Sequence, residues 1–145
     1  MNKNILLFAV SVFAFSCTIN ETHKKENMKT TENPLLVKSR LPYNAPDFTK
    51  IKNEHFLPAI LEGMKLQNKE IEKIVSNTEA SNFKNTILAL EESDKVLSNV
   101  QAVFPGLAGA HTNDVLKANQ KELAPKLSKH QDNILLNTTL SLIHI

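Results

Sequence analysis

From about Asn53 onward, apolar residues recur every three or four positions, and this spacing restricts the body of the chain to helices. Phe56, Ile60, Gly63/Met64, Ile71 and Ile74 form the first stripe, while Lys65, Lys69, Glu70, Glu72 and Lys73 face elsewhere. Asn53 reads as the cap of this helix, Glu54 suits its positive start, and Pro58 fits the first turn. The helix is expected to end near Val75. A second helix should start near Ser81-Asn82 and bury Phe83, Ile87, Leu90, Leu97, Val100 and Phe104. Glu91, Glu92, Asp94 and Lys95 form its wet side. Pro105-Gly106 predicts a kink or an end, because proline removes a helical hydrogen bond. Thr112-Asn113-Asp114 opens a third helix through Leu116, Leu123, Leu127 and Ile134, which Pro125 should kink or divide. With only three glycines and no alternating strand pattern, the expectation is an all-α antiparallel layer of about three helices.

Upstream, Pro34, Pro42 and Pro46 block a regular helix, so residues 34–46 are expected to lie extended on the body. Asp47 to Lys52 reads as a short turn. The first residues have another character. A weakly positive start, Met1 to Asn4, precedes the uncharged run Ile5 to Phe15. As a helix that run would span about 16 Å, roughly half a bilayer's hydrocarbon core, which suits a secretion signal and not a membrane span. Residues 1–16 are therefore read as a signal peptide. Ala14-Phe15-Ser16-Cys17 resembles a bacterial lipobox, making Cys17 the expected lipid-attachment residue; the plainer alternative is a signal cut near Ser16 beside an incidental cysteine. Residues 17–33 are polar and read as the lipidated cysteine and a flexible tether. The expected location is exported and membrane-anchored, on the periplasmic side or cell envelope. Initiation at Met28 would instead give a cytoplasmic protein.

Composition and motifs exclude several chemistries. The net charge is +2, and the cations are lysines scattered among carboxylates plus one arginine, Arg40, so no basic stripe for nucleic acid exists. None of His23, His55, His111, His130 and His144 belongs to a His-Glu-x-x-His pair, and one cysteine cannot complete a Cys/His zinc set. His111 and His130 read as polar helix-end or surface residues. Glu91 and Glu92 point about 100° apart on a helix and cannot share a site. Gly106 to Gly109 lacks the lysine and hydroxyl residue of a phosphate loop. Read from its residues alone, the chain nominates no catalytic, cofactor-binding or metal-ligating side chain.

Longer strings carry a resemblance. Asn33-Pro34-Leu35-Leu36, Leu41-Pro42-Tyr43-Asn44-Ala45-Pro46-Asp47-Phe48 and Ile51-Lys52-Asn53-Glu54-His55-Phe56-Leu57-Pro58-Ala59 look like the opening of bacterial peptidyl-dipeptidases. These enzymes, also called dipeptidyl carboxypeptidases, belong to the thimet-oligopeptidase family. Phe83 to Glu91, Ala110 to Asp114 and Glu122 to Ser128 are similar to the same family in order and spacing. The resemblance implies a helical clam-shell zinc peptidase several times this length, which removes dipeptides from the C-terminus of oligopeptides. Its zinc ligands and general base would lie in a distant His-Glu-x-x-His helix, so this chain is expected to be an inactive N-terminal fragment with a helical region at 34–139. Pro105-Gly106 departs from the continuous helix expected of the family. The end departs too: Leu140-Ser141-Leu142-Ile143-His144-Ile145 is the direct translation of CTGTCTCTTATACACATC, which looks like the mosaic end of a transposase-based sequencing adaptor. Residues 140–145 are accordingly expected to be adaptor-derived, the alternative being an ordinary apolar helical turn. A competing reading of the whole chain is a short membrane-tethered helical lipoprotein that binds peptides or a protein partner.

Overall fold

A computed structural model describes residues 33–143, with side chains through Ser141. The expected signal peptide, Cys17 and the tether as far as Glu32 lie outside the described residues, as do His144 and Ile145. Asn33, whose polarity places it with the tether, instead belongs to the folded body. Its side chain is buried, donating from Nδ2 to the His55 carbonyl at 2.8 Å and accepting the Leu35 N–H at 3.0 Å. A buried amide with both ends satisfied is a fixed anchor.

Leu35 and Leu36 follow that anchor onto the core. The rest of the proline-rich segment does not. Tyr43 is fully exposed in a 3-10 turn, Pro42–Asn44, where Tyr43 and Asn44 take positive φ of 59° and 57°. The segment therefore lies on the body only in its first part, and a left-handed turn carries the remainder outward. Asp47 forms the expected short turn, accepting from the N–H groups of Lys50 and Thr49.

A second 3-10 turn, Asn53–His55, leads into α1, Phe56–Val75. Asn53 is not the cap that its residue type suggested. No side chain caps α1; the His55 ring instead braces the 3-10 turn before it, accepting the Lys52 N–H at Nδ1 over 3.0 Å. Asn53 contributes its carbonyl, which accepts from Asn119 Nδ2 at 3.2 Å and so ties the start of α1 to the third long helix.

The expected second helix is three pieces. A π-helical turn, Phe83–Leu88, runs into α2, Ala89–Ser93, and after a break at Asp94 into α3, Lys95–Ala110. α4 is Asp114–Leu135, and α5 is Thr138–Ile143. No strand occurs among the described residues. The architecture is all-α, with α1 packed on α2, α3 and α4. Asn113 caps α4 as expected, its Oδ1 accepting the Leu116 N–H at 3.0 Å. Pro105 and Pro125 end neither helix; both sit on exposed faces inside α3 and α4. A solvent-facing proline leaves its orphaned carbonyl within reach of water, which softens the loss.

The core is Phe56, Ala59 and Ile60 of α1, Leu97, Val100 and Phe104 of α3, and Leu116 and Leu123 of α4. The rings of Phe56 and Phe104 tilt at 44° with centroids 5.1 Å apart, within the range favoured by aromatic pairs. At Gly63 α1 and α3 approach closely: a Cβ there would meet Leu97 Cα at 3.0 Å. A smaller cluster at the far end joins Ile71 and Ile74 to Leu140 of α5. Apolar burial is non-directional, so a short apolar turn settles on such a surface whatever its origin.

Candidate functional site

A groove of about 320 Å³ lies between α1 and α4. α1 contributes Leu61, Met64, Lys65 and Asn68 to it; α4 contributes Lys126, Lys129, His130 and Asn133. These positions fall three or four apart on each helix, so they share one face. Lys65 pairs with Glu62 at 3.1 Å and Lys126 with Glu122 at 2.7 Å, which offsets two of the three groove cations. Apolar side chains with ammonium and amide ends can hold an extended polar chain, but no nucleophile or acid–base pair stands here to break a bond.

His130 closes the inner side of the groove. Its polarity suggests a helix-end or surface residue, but it is buried within α4, because α4 turns this face toward α1. Its Nε2 lies 2.7 Å from Gln67 Oε1, an oxygen that only accepts, so the ring donates there. Desolvation holds its pKa below the usual 6.5. The Asp47 carboxyl is also held below its usual value, by the Thr49 hydroxyl and then by Lys50.

The remaining sequence candidates stay apart. Glu91 and Glu92 are both exposed, Glu92 pairing with Lys95 at 2.8 Å. Gly106 to Gly109 is part of α3 and forms no loop. His111 is exposed at the C-terminal end of α3. Among the described residues no three His, Cys, Asp or Glu side chains converge on a point that could hold a metal ion. With His55 and His130 committed to hydrogen bonds, the donors among the described residues do not fit zinc. No described helix is long and apolar enough to cross a membrane.

Two features escaped the sequence reading. The inward-facing Asn33 and Asn119 gave no signal, because their carbonyl partners lie 22 and 66 residues away. The π-helical turn did leave one, since Asn82 and Asn85 have the three-residue spacing of a reciprocal cap.

Comparison with characterised proteins supplies what this geometry lacks. No protein-family model matches the chain. It is similar to dipeptidyl carboxypeptidase of Escherichia coli, 44% identical over 111 residues that cover 77% of this chain and 16% of that protein. Dipeptidyl carboxypeptidase of Salmonella typhimurium is 44% identical over 108 residues, 74% of this chain and 16% of its own length. Oligopeptidase A of Escherichia coli is 26% identical over 98 residues, 68% of this chain and 14% of that protein. The chain thus spans about a sixth of the length of the curated relatives it matches.

Proposed function

The chain belongs, over about three quarters of its length, to the family of dipeptidyl carboxypeptidase and oligopeptidase A, and from this premise we propose that it is the N-terminal helical region of a zinc peptidyl-dipeptidase. The observation that carries the reading is the 44% identity, which covers most of this chain and only 16% of each dipeptidyl carboxypeptidase. In this reading the enzyme takes oligopeptides and releases dipeptides from their C-termini. The donors among the described residues do not fit zinc, and in this reading the metal ligands and the general base belong to polypeptide downstream. The contribution of residues 34–139 is architectural. α1, α3 and α4 form a wall whose face can line a peptide channel, and this chain by itself is inactive.

The same proposal covers the two ends. The signal peptide exports the enzyme and Cys17 takes acyl chains that hold it on the membrane. Each buried acyl CH₂ contributes about 0.8 kcal/mol, so more than one chain is needed for durable anchoring. Leu140 to Ile145 are translated adaptor and give way to native sequence in the organism's own gene.

The decisive experiment reads the source genome across the codon for Asn137 and then expresses the whole frame. The expected frame continues to a His-Glu-x-x-His helix, and its product releases C-terminal dipeptides in a chelator-sensitive way. A stop codon after Ile145, or a full-length product that releases none, would overturn the reading. Cys17→Ser should move the protein out of the membrane fraction and abolish labelling by a radioactive fatty acid; unchanged labelling would refute the anchor alone.

A further inference from the structure

The π-helical turn between α1 and α2 is built inside out. Thr86 is 4% exposed, whereas Phe83 is 70%, Ile87 44% and Leu88 38% exposed. A π turn bonds five residues apart, so side chains four and five positions after Phe83 return to its face. Phe83, Ile87 and Leu88 consequently form one outward apolar strip. The polar side is satisfied within the turn: Asn82 Oδ1 accepts from the N–H groups of Lys84 and Asn85, both at 3.0 Å. Asn85 Oδ1 accepts from the Asn82 N–H at 2.8 Å and from the Thr86 hydroxyl at 2.9 Å, while its Nδ2 donates to the Ala80 carbonyl at 3.0 Å. This network fixes the backbone that holds the strip outward.

We propose that Phe83, Ile87 and Leu88 form the docking strip for the downstream part of the same polypeptide. The inference rests on the reading of this chain as the opening of a longer peptidase. Two other occupants fit less well. The segment upstream, residues 18–32, has only Ile19 and Met28 as large apolar side chains, too few to cover the strip. A second copy needs far more surface, since a stable dimer takes roughly 20–30 residues a side. A tethered segment needs much less, because its effective concentration is set by the linker. The similar dipeptidyl carboxypeptidases have 84% of their length outside the match, so there is ample chain to supply the cover.

The test uses the full-length protein from the continued reading frame, with Phe83 replaced by a benzophenone-bearing phenylalanine and irradiated. Crosslinks within one chain to residues beyond 145 are expected. Crosslinks between two copies, or none, would overturn the docking strip, and dipeptide release by the same preparation would then leave the broader reading intact. Downstream crosslinks in a protein that releases no dipeptide would uphold the strip and sink the peptidase reading. A frame that stops after Ile145 ends both. As a second variant, Phe83→Asp with Ile87→Asp should lower the melting temperature of the full-length enzyme by several degrees; an unchanged melt also overturns the strip.

Discussion

His130 is buried between α1 and α4, and burial opposes its protonation. Unfolded, the ring binds its proton near the ordinary value of 6.5; folded, it does so only at lower pH. Between the two values the unfolded state carries the extra proton, so stability is complete above pH 6.5 and declines as the solution is acidified through that value. His130→Gln should flatten this limb in urea melts taken as a function of pH, and an unaltered limb would assign it elsewhere. Gly63 makes a different point, about space. Gly63→Ala drives a methyl against the Leu97 backbone and is expected to cost about 1–3 kcal/mol in urea unfolding. Gly106→Ala and Gly109→Ala meet open space inside α3 and should stabilise by about 0.5–1 kcal/mol each. His130 and the glycines all stand out in the sequence, but their surroundings do not, because no local pattern announces that another helix lies against position 63 or 130.

At the scale of elements, the ends of helices were legible and their inward faces only partly so. Asn82, Asn113 and Val75 stand at the boundaries that cap chemistry and periodicity indicate. Asn82→Ala removes the acceptor for two backbone N–H groups and should destabilise by about 1 kcal/mol, measured by the helical circular-dichroism signal in urea. Hydrophobicity selects the stripe Phe83, Ile87, Leu90, Leu97, Val100 and Phe104; the inward set is Thr86, Ser93, Leu97, Val100 and Phe104, with Leu90 half-buried. Both sets fit a helical repeat and share Leu90, Leu97, Val100 and Phe104. The π turn, which spends one residue more per turn, selects the second. Pro105 offers a related check. Pro105→Ala restores a donor to an exposed helix interior and should stabilise by about 2 kcal/mol; no gain would mean that α3 already bends there to relieve the clash.

At the scale of the whole molecule, Phe56 lies where α1, α3 and α4 meet, with no exposed surface. Phe56→Ala should cost about 3–5 kcal/mol, a large share of the stability of any domain this size, and appear as a loss of the cooperative thermal transition. The sequence by itself determined the all-α class, the positions of the long helices and the kinship with the dipeptidyl carboxypeptidases. Helical hydrogen bonds and caps close over three to five residues, so the information that specifies them is local. Tertiary structure alone decided that Asn33, Asn119 and His130 face inward, that Gly63 must stay small and that Phe83 and Ile87 face out. Burial depends on what stands opposite, and the partners of these side chains lie 22 to 66 residues away along the chain. No periodicity in one helix records which face of another will meet it.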